Sequence, residues 1–269
     1  QFDEKILDTA VRRVLFAKFA MGLFEDPYGK TFKNRKRHSP ESVKLAKTIA
    51  DESTVLLKNE NQLLPLDAKS LKSIAIIGPN ADQVQFGDYT WSRNNKDGVT
   101  PLQGIKNRVN KNTAIHYAKG CSLTSLDTSG IAEAVEAAKN SEVAVIFGGS
   151  ASAALARDYK SSTCGEGFDL NDLNLTGAQS QLIREVYRTG TPVILVLVTG
   201  KPFVIEWEKN NLPAILVQWY AGEQAGNSIA DILFGEVVPS GRLTFSFPRS
   251  TGHLPVYYNY LPSDSGFYK

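Results

Sequence analysis

The sequence predicts an α/β fold: an open three-layer α/β/α sandwich around a mainly parallel sheet of about six strands, with an antiparallel edge strand. Three observations lead there. Short runs rich in Val and Ile recur along the chain, most of them end in glycine, and the intervals between them have helical spacing. Strands that are apolar at nearly every position belong to sheets covered on both faces. No internal repeat or low-complexity tract competes with this reading.

The opening segment, "FDEKILDTAVRRVLFAKFAMGLF", places Ile6, Val11, Val14, Leu15, Ala17, Phe19 and Leu23 at helical spacing. A lone amphipathic helix has no core of its own. It is expected to close a domain outside this chain, which does not open on methionine. "EDPYGKTFKNRKRHSP" reads as a linker broken by Pro27, Gly29 and Pro40. Its basic run "KNRKRH" has no interleaved aromatic residues and fits a solvated linker better than a nucleic-acid contact. Ser39 suits a helix N-cap, with Pro40 at the first helical position and Glu41 in the first turn. The helix is expected to continue through "PESVKLAKTIADESTVLLKN" until "LLPLDAKS" ends it.

From there the strand candidates are "SIAIIG", "AIHYAKG", "VAVIFGG", "VILVLVTG" and "AILVQWY". Segments such as "GIAEAVEAAKNS" and "TGAQSQLIREVYRT" supply helices between them. "RLTFSFP" alternates and is expected to be the edge strand.

Composition narrows the function classes. A formal net charge of +2 over 269 residues favours no particular partner. Two cysteines, Cys121 and Cys164, make no disulfide framework; one pairing is conceivable, but two free thiols are expected. With three scattered histidines, no metal site is expected. No apolar run reaches membrane-spanning length and no signal peptide opens the chain.

Ligands of such sheets approach the loops at the carboxyl ends of the strands. The loop after "SIAIIG", residues 79–98, is long, polar and tipped by Tyr89 and Trp91 beside Asp88, Ser92 and Arg93. A sugar could stack on Trp91 and hydrogen-bond to these neighbours; equally, the indole could cover a sheet edge. After "VAVIFGGS" comes "ASAALARDYKSSTCGEGFDLNDLNL", in which Glu166 stands between Gly165 and Gly167. A carboxyl group on a glycine-flanked loop suits a proton donor, although the residues alone favour an ordinary solvent-facing turn. "WYAGEQAGNSIADILFG" lacks both the G-x-G-x-x-G fingerprint and a Walker lysine, so no nucleotide cofactor is expected. Glu223 there suits a helix N-terminus. No G-x-S-x-G elbow appears either.

Several longer stretches carry a resemblance. "GEQAGNSIADILFGEVVPSGRLTFSFPRS", with "ESTVLLKNENQLLPL", "IAIIGPNA" and "GHLPVYYN", resembles the C-terminal α/β sandwich domain of glycoside hydrolase family 3, over nearly the whole chain. The resemblance implies that residues 1–26 are the last helix of an N-terminal α/β barrel and 27–39 an interdomain linker. It further implies a sandwich domain over 40–250 and, over 251–269, the start of a connection to a further region. That barrel would supply an aspartate nucleophile; the family's Ser-Asp-Trp motif is absent here.

The family's "G-E-G-x-D" loop maps onto Gly165, Glu166, Gly167 and Asp169, which makes Glu166 the implied general acid/base and Asp169 a supporting group. Leu170 stands where the family commonly has arginine, so an ion pair to Asp169 is not carried over. Phe168 and Trp91 are expected to line the substrate cleft.

The implied activity is retaining, exo-acting hydrolysis of terminal β-linked sugars, most directly β-glucosides, without cofactor, metal, membrane or nucleic-acid partner. A β-xylosidase of the same family and a non-catalytic sugar-binding domain are the alternatives. The implied location is periplasmic or extracellular.

Overall fold

The computed structural model describes residues 3–29, 38–90, 92, 94–152 and 163–259. The chain divides into two compact units, Gln1–Ser42 and Val43–Lys269. The first contains helix α1, Glu4–Ala20, whose N-cap Asp3 accepts the backbone N–H of Lys5 at 3.0 Å. None of its residues is buried, and Ile6, Leu7, Val14, Phe16 and Phe19 all stand exposed within this unit. A helix this apolar on its surface needs a covering partner to be stable in water. Phe19 and Phe24 stack on each other at 4.1 Å between ring centroids.

Helix α2, Pro40–Ser53, begins where the Ser39 hydroxyl accepts the Ser42 N–H. Its expected continuation through "TVLLKN" does not occur. The hydroxyls of Ser53 and Thr54 turn back onto the carbonyl of Ala50, which competes with the helical ladder at its last turn. The next residues, Val55–Asn59, form strand β1. This is the antiparallel edge strand; "RLTFSFP" is not a strand at all. Leu243 and Phe247 from that segment pack on the core instead, and Phe245 meets Trp219 edge-on at 5.4 Å. Alternating side chains can seat themselves on a core without the backbone joining a ladder.

The remaining elements follow the alternation in the sequence: β2 (Ser73–Ile77), α3 (Pro101–Arg108), β3 (Ala114–Ala118), α4 (Ile131–Lys139) and β4 (Val143–Gly149). After these come α5 (Gln179–Tyr187), β5 (Val193–Val198), α6 (Glu206–Asn211), β6 (Ala214–Val217) and α7 (Ala225–Leu233). Strand order is β1-β6-β5-β4-β2-β3, with every pair parallel except β1–β6. Strands β4, β5 and β6 are buried along their full length.

Alternate strand residues feed two cores. Ile77, Ile146, Leu195 and Val217 face α4 and α5, whereas Ile76, Phe147, Val196 and Leu216 face α3 and α7. That two-sided burial is why the strands lack the apolar–polar alternation of a half-exposed sheet.

Helices α3 and α7 cross through glycine. A Cβ on Gly104 would lie 2.0 Å from the Gly226 carbonyl oxygen, and one on Gly226 would lie 2.1 Å from that of Thr100. An ion cluster braces the same side: Lys47 of α2 pairs with Asp51 at 2.7 Å and with Asp231 of α7 at 2.8 Å. Burial opposes the Lys47 charge, but the two carboxylates outweigh it and raise the ammonium's pKa. Gly104→Ala is expected to lower stability by about 1–3 kcal/mol, because the helices must separate to admit one methyl group. Urea unfolding of the parent and variant measures it, and an unchanged midpoint would contradict the packing argument.

Candidate active site

In this strand order the chain runs from β2 outward to β3, then returns to the opposite side of β2 for β4. The crossovers therefore diverge between β2 and β4, and a crevice opens at the carboxyl ends of the strands, where ligands bind in sheets of this kind. Both loops singled out in the sequence leave from there.

Buried side-chain amides hold the crevice together. Asn80, fully buried just past β2, donates to the carbonyls of Gly148 and Ser150 at 3.3 Å each and accepts from Gln85 Nε2 at 2.8 Å. Gln179 at the start of α5 accepts the Gly149 N–H at 2.8 Å and donates to the Gly149 carbonyl at 3.0 Å. These amides bond the end of β4 and the residue after it, where β4 keeps β5 beside it but has run past its last partner in β2, Ile77 opposite Ile146.

The 79–98 loop is internally bonded. Asn95 accepts the Val84 N–H and donates to the Asp82 carbonyl, while Ser92 engages Asp97 and not a free face. Tyr89 is exposed at φ 55°. Trp91 and Arg93 lie outside the described residues.

The Glu166 loop returns to the sheet at Thr163 and Cys164, which bond to the backbone of Ala151; Ser152 and Cys164 form an isolated bridge. Gly165 (φ 113°) and Gly167 (φ 74°) both occupy backbone conformations that other residues rarely adopt, and they hold Glu166 out as an exposed residue between them. The Glu166 N–H donates to Asp88 Oδ2 at 3.3 Å, so the two strand-end loops meet at this residue.

Beneath them lies an open hollow of about 520 Å³, lined on its loop side by Asp88, Phe168 and Asp169 and on its floor by Gly200, Lys201 and Tyr220. Phe168 is half-buried and Asp169 exposed. Glu223 sits in a single 3₁₀ turn, Gly222–Gln224, directly before α7, as its helix N-terminal pattern suggested.

Several members of this site were not singled out in the sequence: Asn80, Ser150, Thr199, Lys201 and Tyr220. The only signal for them is position, since each directly follows a strand run. Both cysteines are free and buried. Burial pushes the Cys121 thiol up to about 11. Burial also pushes the Tyr220 phenol's pKa upward, so the phenol keeps its proton. Among the described residues no group of His, Cys, Asp or Glu side chains could hold a metal ion, and no helix is long and apolar enough to cross a membrane.

Fold and site together define a ligand-facing α/β sandwich domain, with carboxylates over an open hollow at the switch point of a parallel sheet. The chain belongs to the family described as the glycosyl hydrolase family 3 C-terminal domain, which it matches over residues 54–269. It is 39% identical to a β-xylosidase of Formosa agariphila, over 98% of this chain and 37% of that protein. It is also 39% identical to a periplasmic β-glucosidase of Salmonella typhimurium, over 95% of this chain and 36% of that protein. A solved β-glucosidase from Listeria innocua in complex with isofagomine superposes with a TM-score of 0.80 at 33% identity, covering 98% of this chain and 35% of that one. The chain thus spans little more than a third of the length of these relatives.

Asn80→Ala should destabilise the fold by about 1–3 kcal/mol, since it strands buried partners on both loops. Chemical denaturation checks this; a loss below about 0.5 kcal/mol would mean that water replaces the amide freely.

Proposed function

We propose that this chain is the acid/base-bearing part of a retaining, exo-acting β-glycosidase that removes terminal β-D-glucosyl residues. The observation that carries the reading is Glu166: a glycine-flanked carboxylate beyond the end of β4, held by its backbone against the neighbouring loop and presented to solvent beside the hollow. The names of the relatives supply the substrate class.

In this reading a companion N-terminal barrel domain provides the aspartate nucleophile. Residues 1–26 are that barrel's last helix, 27–39 the linker, 40–250 the sandwich domain and 251–269 the start of a connection onward. The exposed apolar surface of α1 supports the first assignment. The chain's share of its relatives' length supports the companion domain.

The nucleophile attacks the anomeric carbon while Glu166 protonates the departing glycosidic oxygen. Glu166 then takes a proton from the water that cleaves the glycosyl-enzyme ester. A retaining pair requires carboxyls roughly 5–5.5 Å apart, so the loop has to reach the partner domain's nucleophile. Trp91 lines the aglycone side of the cleft, Phe168 contributes to substrate binding, and Asp169 supports the loop beside Glu166. The name of the Salmonella relative supports a periplasmic or extracellular location.

A β-xylosidase is the second reading, favoured by the equal 39% identity to the Formosa agariphila enzyme. Assaying the full-length enzyme on aryl β-glucosides and aryl β-xylosides separates the two by kcat/KM.

Glu166→Gln in that enzyme should lower kcat/KM by about 10²–10⁴-fold on a disaccharide and far less on a dinitrophenyl glycoside, whose leaving group needs no proton. Parent-like activity on the disaccharide would remove Glu166 from the role. Residues 1–269 alone should release no aryl sugar, and turnover by them would refute the division of the carboxylates between domains.

A further inference from the structure

Tyr220 stands where both loops of the candidate site are held, and the mechanism above gives it no part. Its ring packs between two glycines: a Cβ on Gly200 would lie 2.9 Å from the ring, and one on Gly87 would lie 3.4 Å from the Tyr220 Cβ. Gly87 precedes Asp88, the acceptor of the Glu166 N–H. On the other side the phenol oxygen bonds to Ser150 Oγ at 2.7 Å and to Sγ of Cys164, two residues before Glu166.

The direction of these bonds can be worked out, because each hydroxyl and thiol has one proton to give. Thr199 Oγ1 donates to the Lys201 carbonyl at 2.8 Å, so it must accept from Ser150 Oγ at 3.1 Å. Ser150, its proton used, accepts from the Tyr220 phenol, which in turn accepts from the Cys164 thiol. The bonds link thiol, phenol and two hydroxyls to a backbone carbonyl, with the Cys164 thiol also 3.7 Å from Ser150 Oγ. Lys201 closes the arrangement: its N–H donates to Thr199 Oγ1 at 3.1 Å, and its Nζ reaches across to the Thr163 carbonyl at 2.8 Å. Two consecutive residues of the limb leading to Glu166 are thus gripped by side chains from the ends of β5 and β6.

We propose that Tyr220 and Lys201 are positioning residues for Glu166, setting where its carboxyl group stands during proton transfer without touching the substrate. The proposal rests on the acid/base reading of Glu166.

It is tested in the full-length enzyme with Tyr220→Phe, which keeps the ring and removes only the central hydroxyl. kcat/KM should fall about 10–100-fold on an alkyl β-glycoside and less than about threefold on a dinitrophenyl glycoside, because misplacing a catalytic group by about 1 Å costs rate where its proton is needed. Lys201→Met should show the same selective loss. Lys201→Arg, which can still donate to the Thr163 carbonyl, should recover most of the activity. Thermal midpoints recorded alongside separate this from loss of fold, which lowers both substrates together.

Equal losses on the two leaving groups, or no loss, overturn the proposal while a leaving-group-selective Glu166→Gln leaves the acid/base reading standing. If Glu166→Gln also lacks the selectivity, both fall together.

Discussion

Asn80 is the residue on which the functional end of this domain depends, for a reason rooted in topology. The strand order reverses between β2 and β4, and at that reversal the chain leaves the sheet on both sides of a crevice. At the rim β4 runs on past its last partner in β2 and keeps only β5 beside it. A fully buried carboxamide that donates to both Gly148 and Ser150 ties this overhang to the end of β2. In a low-dielectric interior such bonds are strong, and leaving them unmade is correspondingly costly. Ala151, to which the limb bearing Glu166 bonds, directly follows one of the residues so held.

The domain combines a stiff floor with an exposed carboxylate. Strands β4, β5 and β6 are sealed between two cores, and α3 meets α7 so closely that glycine alone fits at the crossing. Glu166, in contrast, is held through its backbone while the residue itself faces solvent. A rigid base under a presented carboxyl suits a group that has to meet a reacting bond contributed from elsewhere. In the proposed function, half of the catalytic pair lies in another domain, so its separation is fixed by an interface and by how firmly this limb is held.

The polar knot under the limb belongs to the same design. A thiol, a phenol and two hydroxyls satisfy one another in sequence, and none of them has to ionise to do so. Burial keeps the Tyr220 phenol protonated, which preserves its role as both acceptor and donor. A charged group in that place would need a buried counter-charge and would compete with the carboxylates above it.

The layered architecture was legible in the sequence, because burial on both faces leaves near-continuous apolar runs at β2, β4, β5 and β6. The edge strand β3 is partly exposed and showed only as a short run ending in glycine. The two glycines around Glu166 were legible for a similar reason, as markers of backbone conformations that other residues avoid. The antiparallel strand was not. "TVLLKN" follows a good helical pattern without a breaker, and only pairing with β6 makes Val55–Asn59 extended, while "RLTFSFP" alternates yet packs on the core without joining the sheet. Asn80, Lys201 and Tyr220 lie far apart along the chain; each stands just past a strand run, but nothing local shows what each one holds. The sequence by itself determined the α/β class, the strand-end position of the loops and the family, since these follow from local periodicity and contiguous motifs. Only the tertiary structure decided which strand caps the sheet and which side chains hold Glu166, because both depend on contacts between segments distant in sequence.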